Sequence, residues 1–299
     1  MNKNNKLLVS ILSLTYNHEK YIGQALDSFL MQKCDFDYEI IIGEDCSTDN
    51  TREIILDYQK KKPNSIIKII TSEKNVGATR NGIRAYNAAK GKYIALCEGD
   101  DYWTDPYKLQ KQVDFLEANS DFAMCAHSIV VWNSNTGKKV VSDYGDKVIT
   151  HKDLALGAYI STLSVVFRNV LTDIPEWFFS VFAGDYSLFL LVTKYGKVKF
   201  LPDVMGVYRI HENNIWANNH ILINQIKWQQ TLNILITNFD SEIQDNLLKQ
   251  QKKLLIKIEK NINRSLDEIN SLKRLLLKIK NSRSYKLGNW IINKIKFLR

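Results

Sequence analysis

The sequence predicts an α/β protein with a mostly parallel sheet flanked by helices, followed by an all-helical C-terminal extension. Two observations predict the sheet. Apolar, strand-like runs alternate with segments of helical periodicity between residues 7 and 97, and each run ends in polar or acidic residues. Strands and helices that alternate at this spacing imply parallel strands with right-handed crossovers. A third observation, a seven-residue apolar repeat that starts at Leu248, predicts the helical extension.

The first part of the chain contains four predicted strands. They lie at 7–15, 38–43, 66–71 and 93–97, and the segments between them have apolar residues at helical spacing. Farther along, the pattern predicts helices at 108–117 and 188–194 and strands at 122–132, 160–168, 198–201 and 204–209. Because parallel strands end at one edge of their sheet, we expect the polar residues that follow them to line one cleft.

Length and composition are those of a soluble globular protein. The 299 residues are enough for one domain of about 200 residues or more with an appendage. The apolar runs are far shorter than the roughly 20 residues of a membrane span, and no signal peptide is recognisable. The four cysteines are scattered without CxxC spacing, so neither a zinc site nor a disulfide framework is expected. These features predict a cytoplasmic protein with reduced thiols.

The net charge is concentrated at the C-terminal end. Residues 240–299 hold fifteen Lys and Arg against six Asp and Glu, whereas residues 1–239 hold 26 of each sign. A nucleic-acid-binding surface is typically basic across the domain itself. The sequence therefore predicts a neutral body with a basic appendage and no nucleic-acid partner.

An acidic cluster follows the fourth predicted strand. Glu98, Asp100 and Asp101 lie within four residues of one another. Carboxylates this close repel one another unless a cation or protons lie between them. Mg²⁺ or Mn²⁺, bound by one or two carboxylates and by substrate phosphates, fits this arrangement, whereas no glycine-rich phosphate loop is present. The alternative is an acidic turn that caps the following helix, although the cluster has more acids than a cap requires.

Six short motifs occur in the same order as those of family 2 glycosyltransferases, and the chain resembles that family over about residues 7–216. The motifs are Ser13–Asn17, Glu44–Thr51, Asn75–Gly77, Glu98–Trp103, Gly184–Asp185 and Tyr208–His211. The resemblance implies the GT-A fold and the inverting transfer of a sugar from a nucleoside-diphosphate sugar. It further implies a divalent metal, Mn²⁺ or Mg²⁺, and an enzyme of the bacterial surface-polysaccharide type.

The resemblance also assigns roles to individual residues. It implies Asp185 as the catalytic base that takes a proton from the acceptor hydroxyl. The residues implied in donor binding are Thr15, Asn17, Glu19, Asp45, Arg80, Glu98 and Asp100, and those implied in metal binding are Asp100, Asp101 and His211. Glu98 departs from the family pattern, in which Asp is commoner. On local sequence alone, the N-cap of a helix is the favoured role of Asp185, whereas its position in the family motif favours the base.

Two tryptophans are candidates for the acceptor side of the cleft. Trp103 follows the acidic cluster and Trp216 follows the last motif. Either ring could stack on a sugar, but packing in the core is an equally good interpretation of Trp103.

The C-terminal extension has a regular heptad pattern. Its first positions are Leu248, Leu255, Ile262, Ile269 and Leu276, and its fourth positions are Gln251, Ile258, Ser265, Leu272 and Ile279. This pattern predicts a coiled coil that forms a homo-oligomer through residues 241–282. A helix that packs back on the catalytic domain is the alternative.

The predicted domain organisation has four parts. They are a GT-A glycosyltransferase domain at 1–216, a helical connector at 217–240, a long helix or coiled coil at 241–282 and a basic amphipathic tail at 283–299. Residues 284–299 are apolar on one side and cationic on the other, which predicts peripheral contact with the inner face of the cell membrane. The alternative for this tail is a helix that covers a groove on a neighbouring surface.

The predicted function is the transfer of a sugar, with inversion, from a UDP-sugar to a hydroxyl group of a glycan or lipid-linked glycan acceptor. A non-catalytic donor-binding or scaffolding subunit that assembles through the coiled coil is the second hypothesis. A sugar-phosphate nucleotidyltransferase is the third, but it would need a glycine- and arginine-rich phosphate loop near the N-terminus, and residues 13–23 contain one glycine and no arginine.

Overall fold

A computed structural model of the chain describes residues 7–61, 66–212 and 220–281. Its core is a ten-stranded mixed sheet with the order β3-β2-β1-β4-β9-β6-β10-β5, in which β7 pairs with β6 and β8 pairs with β10. Helices cover both faces of this sheet, and two further helices follow it. The predicted fold class, a mostly parallel sheet flanked by helices with a C-terminal helical region, is confirmed.

The first half of the sheet is parallel. Its elements are β1 (Leu7–Thr15), α1 (Ile22–Leu30), β2 (Asp37–Glu44), α2 (Thr51–Lys61), β3 (Ile67–Ile70), α3 (Ala78–Ala88) and β4 (Tyr93–Leu96). β1 lies between β2 and β4, and β2 also pairs with β3. All three pairings are parallel. The strands have near-continuous apolar sequences because helices cover them on both faces.

The second half of the sheet is mixed. Its elements are β5 (Tyr102–Trp103), α4 (Lys108–Ala118), β6 (Phe122–Asn133), β7 (Lys139–Ser142), β8 (Lys147–Ile149), α5 (His151–Ala155), β9 (Val166–Arg168), α6 (Gly184–Thr193) and β10 (Lys197–Ile210). β9 is antiparallel to both β4 and β6, whereas β6 and β10 are parallel. β5 pairs antiparallel with β10 directly after the acidic cluster.

Two predictions about the strands in this half are wrong in detail. The strand predicted at 160–168 is confined to Val166–Arg168, because Thr162–Ser164 form a 3-10 turn. The Ser164 hydroxyl donates to the Ser161 carbonyl at 2.6 Å, and such local bonds compete with strand pairing. The two short strands predicted at 198–201 and 204–209 form one strand, β10, whose register shifts between Leu201 and Val204. Pro202 lies at this shift and has no N–H to donate to the ladder.

The C-terminal region consists of α7 (Ile221–Asn238) and α8 (Ser241–Asn281). They pack antiparallel, since Gln251 of α8 bonds to Asn233 of α7 at 2.6 Å and Asn261 bonds to Gln225 at 3.1 Å. Leucines and isoleucines from the start of α8 and from α7 belong to the core cluster that also contains α6. The first part of α8 therefore packs back on the sheet domain, which was the alternative to a coiled coil.

The division of the chain into four domains stays a prediction. The tail predicted at 283–299 lies outside the described residues. In the described part of the chain, none of the helices has both the length and the apolar character that crossing a bilayer requires.

Candidate active site

The loops after β1 and β2 are joined by hydrogen bonds at the carboxyl edge of the sheet. Asn17 accepts the Thr48 backbone N–H at 2.8 Å through Oδ1. Glu19 accepts the backbone N–H of Asn50 at 3.1 Å. Asn17 adopts a left-handed conformation with φ 56°, which asparagine tolerates better than most residues. Both predicted donor-binding residues thus hold this edge together, and their contact with a nucleotide stays a prediction.

Asp45 holds the turn that precedes α3. Its carboxylate accepts the backbone N–H groups of Val76 at 2.8 Å and Gly77 at 2.9 Å. Gly77 has φ 85°, a conformation that favours glycine, and α3 begins at the next residue. Arg80 lies in the first turn of α3, with its guanidinium 5.4 Å from the centre of the Phe179 ring. Asp45 therefore positions the backbone near Arg80 as well as being a candidate donor contact.

Gly99 allows the acidic loop to approach β1 closely. A Cβ atom at this position would lie 2.9 Å from Oγ1 of Thr15. The backbone N–H of Gly99 donates to the Leu14 carbonyl at 2.9 Å, which continues the pairing of β4 with β1. Thr15 Oγ1 is buried and has no hydrogen-bond partner among the described residues, so this hydroxyl remains available at the cleft.

Asp100 lies between two histidines. Its Oδ2 is 3.1 Å from Nε2 of His211 and 3.7 Å from Nε2 of His18. Burial by itself would raise the pKa of Asp100, but the hydrogen bond with His211, together with electrostatic contributions from the two histidines, outweighs it and lowers the pKa. The predicted metal ligands Asp100 and His211, 111 residues apart in sequence, are therefore in contact.

Asp101 faces β10 rather than the histidines. Its Oδ1 accepts the backbone N–H of Arg209 at 2.8 Å, and the side chain is buried. Burial and the neighbouring Asp100 charge raise its pKa well above the usual value. This bond fixes the acidic loop against the strand that delivers His211. A direct metal contact by Asp101 stays a prediction.

Glu98 is the first residue of the acidic loop. Its Oε2 is buried and has no hydrogen-bond partner in the described part of the chain. Burial raises the pKa of Glu98 to about 8, and the charges of Asp100 and Asp185 add to the increase. A carboxyl group with this pKa is mostly protonated at neutral pH, so it can donate a hydrogen bond.

Asp185 is fixed by a residue of the 3-10 turn. Its Oδ2 accepts the Thr162 hydroxyl at 2.9 Å, and its Oδ1 accepts the Tyr186 backbone N–H. The N-cap of α6 is Ala183, so Asp185 lies in the first turn of the helix and not at the N-cap position. The charge of Asp185 contributes to the raised pKa of Glu98, so the two carboxyl groups lie within electrostatic range of each other.

Of the two roles considered for Trp103, the structure favours core packing. The side chain is 1% exposed, its indole N–H donates to the Leu163 carbonyl at 2.9 Å, and Phe29 packs against it at 4.9 Å between ring centres. A ring without exposed surface has no face to offer a sugar, so the predicted acceptor role of Trp103 does not fit this structure. The other acceptor-side candidate, Trp216, lies outside the described residues.

Two site residues, one directly after a quoted motif and one within another, were not assigned from the sequence. His18 approaches Asp100 from the loop after β1, and burial lowers its pKa, which favours the neutral imidazole. Arg209 is buried with its guanidinium 4.6 Å from the centre of the Tyr21 ring and 5.2 Å from that of Tyr102. Their positions next to Asn17 and His211 were the only signal, because neither residue belongs to a recognisable ligand spacing.

The donor atoms around Asp100 suit a divalent cation that retains open coordination positions. Carboxylate oxygen and neutral imidazole nitrogen are ligands of Mn²⁺ and related ions, and the orphaned Glu98 Oε2 lies on the same loop. Within the described ranges, no three His, Cys, Asp or Glu side chains form a complete metal cage.

Comparison with known proteins places the chain in a family. Residues 10–174 match the profile of Glycosyl transferase family 2. The chain is 38% identical over 215 residues to an uncharacterized protein of Mycobacterium tuberculosis, and the match covers 70% of this chain and 60% of that protein. It is 31% identical over 214 residues to WfgD of Escherichia coli, a UDP-Glc:alpha-D-GlcNAc-diphosphoundecaprenol beta-1,3-glucosyltransferase, with coverage of 71% and 80%.

A solved structure has the same fold. The crystal structure of residues 1–349 of TarS from S. aureus, in complex with UDP-GlcNAc, superposes with a TM-score of 0.62 at 19% sequence identity. The superposition covers 83% of this chain and 72% of that one. The family profile and the relatives agree with the family that the six motifs indicated, and the superposition agrees with the predicted fold. The chain belongs to glycosyl transferase family 2.

Proposed function

We propose that this chain transfers a sugar from a UDP-sugar to a hydroxyl group of a glycan or lipid-linked glycan acceptor, with inversion and with the help of Mn²⁺ or Mg²⁺, during surface-polysaccharide synthesis. One observation carries the proposal. Asp185, held by Thr162, lies near Glu98, and the same acidic loop brings Asp100 to His211. A carboxylate base and a phosphate-side cation site therefore flank one cleft.

The base is argued from the geometry of inversion. The acceptor hydroxyl must attack the anomeric carbon from the side opposite the leaving diphosphate, and a carboxylate on that side must take its proton. Asp185 is supported in this role because the Thr162 hydroxyl and the Tyr186 N–H orient both of its oxygens. Asp185 lies on α6 and not on the acidic loop. The base and the cation site therefore come from different segments, as two groups on opposite sides of the reacting carbon require.

The phosphate side is argued from Asp100 and His211. These side chains would hold the divalent cation together with the diphosphate oxygens of the donor. The bound cation would neutralise charge on the departing nucleoside diphosphate. Asp101 supports the arrangement through its bond to the Arg209 backbone, which keeps the acidic loop beside β10.

The substrates are proposed from the relatives. WfgD is named for a UDP-glucose donor and a diphosphoundecaprenol-linked acceptor, and TarS was crystallised with UDP-GlcNAc. A UDP-sugar and a lipid-linked glycan are therefore the first substrates to examine. The basic C-terminal end of the chain is compatible with an acceptor at an anionic membrane surface. Because the match spans 60% of the mycobacterial relative, activity and substrates remain proposals for the whole protein.

The test is UDP release from a panel of UDP-sugars with Mn²⁺ or Mg²⁺ and a lipid-linked glycan acceptor. Asp185→Asn should lower transfer by at least about 100-fold, because it removes the proton acceptor. Donor binding, measured as the rise in Tm with donor concentration, should be retained. Asp57→Asn, at an exposed position of α2, is the matched control and should transfer the sugar at the rate of the unmodified protein.

Three results would contradict the proposal. Normal transfer by Asp185→Asn would exclude it as the base. Donor binding without turnover on any acceptor would favour a scaffolding subunit. Release of pyrophosphate from a nucleoside triphosphate and a sugar phosphate would instead identify a nucleotidyltransferase.

A further inference from the structure

The distal segment of α8, residues 262–281, extends past α7. The bonds from Gln251 to Asn233 and from Asn261 to Gln225 define the antiparallel register of the two helices. In that register Ile221, the first residue of α7, lies opposite Ser265. A helix rises about 1.5 Å per residue, so the segment is roughly 30 Å long. Helices in proteins gain most of their stability from the packing of an amphipathic face, so a segment that extends past α7 favours a further packing partner.

The distal segment has an apolar surface. Seven of its large aliphatic side chains are between 44% and 65% exposed: Ile262, Leu266, Ile269, Leu272, Leu275, Leu276 and Leu277. Most of them follow a heptad pattern in which Ile262, Ile269 and Leu276 occupy position a and Leu272 occupies position d. A contiguous apolar strip on an exposed helix is typical of an interface.

We propose that the distal segment pairs with the same segment of a second copy of the chain, as a parallel, in-register, two-stranded coiled coil. Charge complementarity identifies this partner and orientation. In a parallel coiled coil, position g of one helix faces position e of the next heptad in its partner. Glu268 occupies g and Lys273 occupies the following e, so a symmetric dimer contains two Glu268–Lys273 pairs.

The antiparallel alternative lacks this complementarity. Antiparallel pairing brings e against e and g against g. The e residues are Leu266, Lys273 and Lys280, and the g residues are Glu268 and Leu275, so no carboxylate would meet an ammonium group.

The earlier heptads of α8 have a different partner. Gln251, a polar d residue, bonds to Asn233 of α7 in the same chain, and Leu247 is fully buried in the core. The position-a residues Leu248 and Leu255 are 44% and 49% exposed, but α7 occupies the d side of these heptads. Within the described part of α8, both sides of the a/d seam are therefore uncovered only in the distal segment, rather than through 241–282. Parallel pairing would place both sheet domains at the same end of the paired helices. This inference does not depend on the proposed function.

The first test is the mass of the full chain in solution, by sedimentation equilibrium. We expect a dimer at micromolar concentration. The double change Ile269→Glu with Leu272→Glu should raise the dimer dissociation constant at least about 100-fold, because it buries charges in the seam. The matched control Asn270→Glu with Ser271→Glu, at positions b and c, should remain a dimer. Circular dichroism and donor binding would check that both variants fold.

The second test distinguishes the orientation. Glu268→Lys or Lys273→Glu alone should each weaken the dimer about tenfold, because both attractive pairs become repulsive. An equimolar mixture of the two single variants should restore dimers, because every g–e pair is then attractive. Leu272→Cys, at position d beyond the end of α7, should form an interchain disulfide under mild oxidation, whereas Ser271→Cys, at position c, should not.

The proposal fails under any of three outcomes. One is a monomer at all concentrations, including a monomer that binds vesicles containing anionic lipid. Another is a dimer that the seam changes leave intact, or that is lost only on removal of residues 282–299, which would assign the interface to the tail. The third is a dimer whose single charge variants do not complement each other, which would exclude the parallel register.

Discussion

The Thr162 hydroxyl donates a 2.9 Å hydrogen bond to Oδ2 of Asp185. The next residue, Leu163, accepts the indole N–H of Trp103 through its carbonyl at 2.9 Å. Trp103 directly follows the acidic loop in the chain. These two hydrogen bonds, made by neighbouring residues of the 3-10 turn, thus link Trp103, after the acidic loop, to the proposed base Asp185.

Thr162→Val should lower kcat while leaving the KM for the donor almost unchanged. Valine has the shape of threonine but cannot orient the Asp185 carboxylate, and a hydrogen bond to a charged group contributes about 1.5–3 kcal/mol. We therefore expect a decrease in kcat of about tenfold or more in steady-state assays. Thr162→Ser should restore most of the rate, and Thr237→Val, at the end of α7, should have no effect. An unchanged kcat for Thr162→Val would show that this bond does not support the base.

His211→Ala should weaken the response to metal. The change removes the imidazole that contacts Asp100, so the Mn²⁺ concentration for half-maximal activity should rise by at least about tenfold. His220→Ala, at the start of α7, is the control and should titrate like the unmodified protein. If His211→Ala and His220→Ala needed the same Mn²⁺ concentration for half-maximal activity, a metal-site role for His211 would be contradicted.

Asp45→Asn should destabilise the turn before α3. Asparagine offers one acceptor oxygen where the carboxylate serves the N–H groups of Val76 and Gly77. One backbone donor of this partly exposed turn then loses its bond to residue 45, and the Gly77 N–H also donates to Oδ1 of Asn75 at 3.0 Å, so we expect a loss of about 0.5–1.5 kcal/mol in the free energy of unfolding. Thermal or urea unfolding would measure the loss, and the donor KM should rise with it. A change in KM without any change in stability would mean that Asp45 acts only by contacting the donor.

Lys108→Met should stabilise the fold at and below neutral pH. Lys108 is fully buried, its Nζ has no hydrogen-bond partner among the described residues, and it lies 4.1 Å from the centre of the Trp103 ring. Burial lowers its pKa from 10.5 to about 7. Between pH 7 and pH 10.5, Lys108 binds more protons in the unfolded chain than in the folded chain. The free energy of unfolding therefore rises as the pH increases through this range.

The expected gain for Lys108→Met is therefore about 2–4 kcal/mol below pH 7, and it should shrink towards pH 10. Urea unfolding of the variant and of the unmodified protein at several pH values would measure it. Lys138→Met, in an exposed turn, should show no such dependence. A loss of stability at low pH would mean that the contact with Trp103 outweighs the burial of charge.

Much of the fold and the residue types of the site could be predicted from the sequence. Alternating apolar runs and helical segments determine parallel strands, and parallel strands bring their polar ends to one edge. The residues at 15–19, 45 and 98–101 could therefore be assigned to one cleft before any contact was known. The motif order added Asp185 and His211, which no local pattern distinguishes from a surface aspartate or histidine.

The tertiary structure decided which of these groups meet and which are buried. Trp103 is in the core because Phe29 of α1 and Lys108 of α4 pack against it, and Asp101 faces β10 because it bonds to the Arg209 backbone. The heptads of α8 pack on α7 only as far as Ser265, which lies opposite the first residue of α7, and the apolar side chains beyond it are exposed. Sequence periodicity records which side chains are apolar and on which face they lie. What covers that face depends on segments far away in the chain, and only the folded structure brings those segments together.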